Sequence, residues 1–228
     1  RLTVLDRHPS NWKASIIRGL PQKWRASIYD DLIEHRSVLI IHPSDIRHRA
    51  RVQKIAQSLI ESGQSVVFFT KLPVGQGHDG IKLDWLLGSP MLQFPDAHDF
   101  LVQSGQGARA LNWRLMVQYL HAAMWRYAER VAPRYIHTFG TAAIAIGHDF
   151  RDRLRATGRS VSWFHDFPEH TAGHIYADDR VGTSAPDEEW RQIVVDHESR
   201  HAGAAQHTFT VSPALASALT ADYALTKA

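Results

Sequence analysis

The chain has no cysteine among its 228 residues. That absence removes disulfides, thiolate nucleophiles and Cys-ligated zinc together. Long apolar runs are missing too: no stretch approaches the roughly 18 apolar residues of a membrane-spanning helix, and the N-terminus has no apolar signal-peptide core. The sequence therefore predicts a soluble, cytoplasmic protein. Charge of one sign is also scarce, with a formal net charge of +3 and no long basic run, which argues against nucleic acid as a partner. Three motifs are absent as well. No Gly-x-Ser-x-Gly elbow is present, no Walker loop, and no Gly-x-Gly-x-x-Gly after the first apolar run, so a serine hydrolase, a P-loop NTPase and an NAD or FAD enzyme are all disfavoured.

Apolar residues at 44% and charged residues at 21% are ordinary for a folded domain, and the length fits one large domain better than two. Val38-Leu39-Ile40-Ile41, closed by His42-Pro43, is a short branched run typical of a strand buried on both faces. Val52, Ile55, Ala56, Leu59 and Ile60 then repeat at helical spacing up to Gly63, and Val66 to Phe69 is a second buried run. Strand, helix and strand in that order predict parallel pairing. The section from Lys71 to Gln106 reads as irregular, with a short strand at Met91 to Phe94. A long helix is predicted to Val131, a strand at Tyr135 to Phe139, a helix at Thr141 to Ala156 and a strand at Ser160 to Phe164. A helix from Asp187 to about Ala204 follows, with Trp190, Ile193, Val194, His197 and His201 on one face, then a strand at Thr208 to Val211 and a last helix opened by Pro213. Such alternation predicts an α/β fold, a Rossmann-like doubly wound parallel sheet flanked by helices. Residues 1–36 form a helical extension and 37–228 the Rossmann-like domain.

Ligands of this fold class bind beyond the carboxyl ends of strands where the winding reverses, which directs attention to the loops after Ile41, Phe69, Phe139 and Phe164. The first loop offers His42, Ser44, Asp45 and Arg47, with Ser44 or Asp45 as candidate N-cap of the next helix. His48, Arg49, Arg51 and Lys54 crowd the same helix start, where cations oppose the macrodipole unless an anion compensates; a phosphate-bearing ligand or a solvated basic face both fit. The fourth loop, His165-Asp166-Phe167-Pro168-Glu169-His170 with His174 beyond, gathers carboxylates and imidazoles that orient sugar hydroxyls or move their protons. A zinc site there and a plain polar loop are the alternatives. His121, His197 and His201 read as packed or surface residues.

Asp45 to Val66 is similar to the pattern Asp-x-Arg-Val-x-Lys-x-Ala-x-x-Leu-x-x-x-Gly-His-x-Val. Tyr135-Ile136-His137-Thr138-Phe139-Gly140 resembles Asp-Val-Ile-His-Ala-His, Trp163 to Glu169 resembles Tyr-Asp-x-His-Glu, and Phe209 to Leu215 resembles Ile-Thr-Val-Ser-x-x-Leu. In order and spacing these segments resemble the N-terminal domain of retaining GT-B glycosyltransferases, the family of glycogen synthase-like and mannosyltransferase enzymes. Pro168, Gly140 and Gln206 depart from that family's usual residues. The resemblance implies transfer of a sugar from a nucleotide-sugar donor to a carbohydrate or other hydroxyl acceptor. The donor would be held by a second Rossmann domain beyond this chain, so the isolated domain would be inactive. No cofactor and no metal would be needed. His165, Asp166 and Glu169 would be the catalytic candidates, and His42, Ser44, Asp45, Arg47, Gly140, Thr141 and His170 the substrate-binding ones. A non-catalytic α/β binding module and a metal-dependent hydrolase built on the His165 to His174 loop are the competing readings. Basic residues between 7 and 25, interleaved with Trp12 and Trp24, suit a contact with an anionic membrane or with a partner subunit, or a packed N-terminal arm.

Overall fold

The computed structural model describes residues 22–72, 80–95, 109–169, 188–223 and 225. In chain order the elements are α1 (Gln22–Ile33), β1 (Val38–His42), α2 (Ala50–Glu61), β2 (Val66–Lys71), β3 (Lys82–Leu86), β4 (Ser89–Phe94), α3 (Arg109–Val131), β5 (Tyr135–Phe139), α4 (Thr141–Ala156), β6 (Ser162–Phe167) and α5 (Glu188–His201). A 3-10 turn (Ala202–Ala204), β7 (His207–Thr210) and α6 (Pro213–Tyr223) complete them. The strands make one seven-stranded sheet in the order β3-β4-β2-β1-β5-β6-β7. All neighbours pair in parallel except β3 with β4. The fold is thus Rossmann-like α/β, and its winding reverses between β1 and β5.

Burial follows from strand alternation. Leu39, Ile41, Val67, Phe69, Ile136, Trp163 and Phe167 point to one face, where they pack with side chains of α1, α3, α4 and α6. Val38, Ile40, Val66, Phe68, Met91 and Phe139 point to the other, where Val52 and Ala56 of α2 meet them. α2 stops as its sequence predicts. Gly63, at φ +84, sends its N–H to Ile60 O (2.9 Å), and the next N–H, of Gln64, reaches Leu59 O (3.0 Å), the paired bonds of a Schellman ending.

Three expectations need correction. The strand expected at Ser160 to Phe164 is β6, Ser162–Phe167, so His165 and Asp166 belong to the strand and the loop after it begins at Pro168. The irregular stretch after Lys71 contains an antiparallel hairpin: Ile81 leads into β3, which turns through Leu87 (φ 53) and Gly88 (φ 75) into β4. Two consecutive left-handed residues make a tight hairpin turn, but leucine in place of asparagine at the first removes the usual sequence signal. The start of α2 also moves. Arg49 is its N-cap and makes no side-chain capping bond, so neither Ser44 nor Asp45 caps the helix. Ile46 is buried in the core and holds the intervening turn down, while the Asp45 carboxylate accepts the Arg47 N–H (3.0 Å) instead, an Asx turn.

α1 packs on α3; residues 1–21, Trp12 among them, lie outside the described residues. Among the described residues no helix is long and apolar enough to cross a membrane.

Candidate functional site

Parallel register sets which residues share the carboxyl rim. Ile41 stands beside Thr138, Phe139 beside Asp166, and Phe167 beside Thr210. The turns that begin at Pro43, Gly140 and Pro168 therefore emerge side by side, at the point where the winding reverses.

The first turn is tied from within. His42 Nδ1 accepts the Ser44 N–H (3.1 Å), which leaves hydrogen on Nε2. The Thr70 hydroxyl donates to Ser44 O. Burial, with the Arg49 charge adding to it, lowers the His42 pKa to about 4, so its imidazole is neutral near pH 7. Arg47 grips the Asp45 carboxylate through Nε (3.0 and 3.1 Å) and Nη2 (2.9 Å). Partial burial pushes that carboxyl up, but the Arg47 bonds outweigh it and the pKa lies below the ordinary value. Arg47 Nη1 also lies 3.6 Å from Asp84, on β3. The guanidinium is thereby drawn to the side of β1 opposite Gly140.

His165 and Asp166 occupy opposite faces of β6, beneath the rim, and both are fully buried. Thr138 Oγ1 accepts the Trp163 indole N–H (2.8 Å) and meets His165 Nδ1 at 2.7 Å. The other ring nitrogen of His165, Nε2, has no partner among the described residues. Burial first, then the neighbouring His137 and His197, hold the His165 pKa well below its ordinary value. Asp166 Oδ2 accepts from Arg51 Nε (2.9 Å), and Arg51 Nη2 reaches Thr210 O (3.3 Å). Burial raises the Asp166 pKa against the pull of Arg51. Arg51 thus finds its compensating anion inside the protein. Neither His165 nor Asp166 reaches solvent.

Gly140, at φ 73, heads α4 and donates its N–H to Asp166 O (3.0 Å). Next to it the Thr141 hydroxyl donates to the Glu198 carboxylate, which also accepts from Tyr223 Oη, and His197 Nε2 donates to Thr141 O (3.2 Å). Glu198 is fully buried. Burial raises its pKa above the ordinary 4.5, opposed by the Thr141 and Tyr223 bonds and assisted by the Glu169 charge. Glu169 is exposed on the rim. His170 and His174 lie outside the described residues.

The structure brings His42, Ser44, Gly140, Thr141 and Glu169 to one rim, places His165 and Asp166 under it, and turns the Asp45–Arg47 pair toward β3. Sequence reasoning missed Glu198 and Tyr223. A signal existed for Glu198: it stands four residues after Val194, on the apolar stripe of α5, where a carboxylate calls for buried partners. Among the described residues no three of His, Asp and Glu converge as metal ligands.

Glu198→Gln tests the electrostatic reading. A folded-state carboxyl pKa raised above its unfolded value means that the native state holds the proton more tightly, so stability falls as pH rises from about 4.5 through the raised value. The amide should abolish that fall, and urea unfolding of both proteins from pH 4 to 7 measures it; parallel curves would refute the assignment.

No protein-family model matches the chain, and no curated protein matches it. Among solved structures it is similar to a sucrose-phosphate synthase from Thermosynechococcus elongatus, with a TM-score of 0.47 and 14% identity over 84% of each chain. The Rossmann-like assignment stands on the strand order and register themselves.

Proposed function

We propose that residues 37–228 are the acceptor-side domain of a GT-B glycosyltransferase, which moves a sugar from a nucleotide-sugar donor to an acceptor hydroxyl in a cleft shared with a donor-binding domain. One observation carries the reading: the turns after β1, β5 and β6, which bear the family-like motifs, emerge together at the winding reversal. The glycine-poor turn after β1 offers no cradle for a dinucleotide pyrophosphate. It offers Ser44 and a neutral His42 instead, groups suited to uncharged hydroxyls.

Burial divides the roles. Glu169, exposed on the rim, is the carboxylate placed to accept or orient an acceptor hydroxyl. His165 and Asp166 act as positioning residues: Thr138 ties the first to β5, and Arg51 ties the second to α2. Gly140 and Thr141 present the start of α4 to the cleft, where Glu198 balances the helix dipole. Ser44, and Asp45 with Arg47, line the far wall.

The test is turnover by the intact polypeptide on a panel of UDP-, GDP- and ADP-hexoses. Transfer or hydrolysis of one of them is expected, with Glu169→Gln lowering kcat by about 100-fold at unchanged stability. Failure to turn over any nucleotide sugar, or full activity of the Glu169 variant, would overturn the proposal.

A further inference from the structure

α4 and α5 pack against each other, and imidazoles meet along their seam, away from the rim residues that the functional proposal uses. His197 and His201 stand one turn apart on α5, with ring centroids 5.2 Å apart. His148 of α4 faces His201 at 5.1 Å. The Nδ1 atoms of His148 and His201 are only 2.8 Å from each other.

In a contact between two neutral imidazoles one Nδ1 donates and the other accepts, so one bare lone pair is already present where His148 meets His201. The His148 ring is fixed in that pose by stacking on Trp163, at 5.6 Å and 6° between planes. It keeps 24% of its side chain exposed, and His201 is half-buried, so an ion from solvent can reach the pair. Burial lowers the pKa of both rings, with Arg151 adding to it at His148, and His148 and Arg200 at His201. Both rings are therefore neutral near pH 7 and able to bind a metal. The neighbouring charges are paired among themselves: Arg151 holds Asp152 (2.7 Å), and Arg153 and His121 hold Asp149 (2.7 and 2.6 Å).

We propose that the Nδ1 atoms of His148 and His201 form a two-imidazole site for a tetragonal divalent transition ion, Cu2+ or Ni2+, with water in the remaining positions. Two imidazole nitrogens about 2.0 Å from a metal and at right angles to one another lie about 2.8 Å apart, the spacing already present. A tetrahedral ion would need about 3.3 Å and would have to push the helices apart. On binding, the ring whose Nδ1 carries hydrogen moves it to Nε2 by exchange with water, with no net proton released. The bound ion would clasp α4 to α5, the helices that carry Thr141 and Glu198.

The experiment is a titration of chelator-treated 228-residue protein with Cu2+, followed by calorimetry and by electron paramagnetic resonance at one equivalent. Expected are equatorial hyperfine couplings from two nitrogens, and an affinity at least tenfold lower in His148→Phe and in His201→Phe. The phenylalanine at 148 preserves the stack on Trp163. His35→Ala, at a ring 82% exposed, should change nothing. The proposal fails if the His148→Phe/His201→Phe double variant binds Cu2+ with the same affinity and spectrum, or if Zn2+ binds more tightly than Ni2+.

Discussion

Gly147→Ala should destabilise the protein by about 2–3 kcal/mol, although alanine is the better helix former by about 1 kcal/mol. Gly147 lies inside α4, and a Cβ there would stand 2.3 Å from Trp163 Nε1, 2.6 Å from Thr138 Cγ2 and 2.8 Å from Trp163 Cε2. Trp163 is fully buried and cannot swing away without a cavity opening elsewhere. Its indole N–H is bonded to Thr138 Oγ1, and the same hydroxyl meets His165. The clash would therefore propagate from the back of the sheet to the histidine beneath the rim. Urea unfolding gives the magnitude, and the near-ultraviolet signal of Trp163 shows whether the indole has moved. A variant as stable as the parent would mean that α4 does not sit this close to β5 and β6.

That close approach illustrates what the sequence makes legible and what it hides. Continuous branched runs such as Val38 to Ile41 and Val66 to Phe69 announce strands covered on both sides, and Gly63 after an apolar stripe announces a helix ending; each is a local pattern with a local cause. The rim positions of His42, Gly140 and Glu169 then follow from strand-helix alternation alone, because parallel strands put every such turn at the same end of the sheet. Hidden are features fixed by partners far along the chain. Glu198 is recognisable as a site residue only when Thr141, 57 positions earlier, and Tyr223 close around it. Arg51 looks like one more cation at a helix start until β6 delivers Asp166 to it, 115 positions later. The direction in which His165 and Asp166 point depends on the register of β6, and a one-residue slip would exchange their faces.

Arg51→Met carries the other large expected effect, a loss of about 2–3 kcal/mol at pH 7. Removing one partner of a fully buried ion pair costs about 3–5 kcal/mol, because the remaining charge has no compensation. Asp166 has 0% of its side chain exposed, but Arg51 keeps 39%, so water entering the vacated space recovers part of the loss. The pH dependence separates this cause from lost packing. The Asp166 pKa is already raised by burial, and Arg51 is the group that holds it down. Without Arg51 it climbs further, and the native state is penalised across a wider range above the ordinary value of 3.8. His137 acts in the same sense. Burial, then Arg51, lower its pKa from 6.5 to about 4, so its contribution is present above 6.5 and is lost as pH falls toward 4; the variant, freed of the Arg51 charge, loses less of it. Both effects narrow the gap between parent and variant in acid. Unfolding free energies at pH 7 and pH 4 should differ between the two proteins by much less at the lower value, and the double variant Arg51→Met/Asp166→Asn should recover most of the loss at pH 7. A gap that stays constant with pH, or a double variant no better than the single one, would show that Arg51 supports the rim by packing on β6 and β7 and that the Asp166 charge is immaterial.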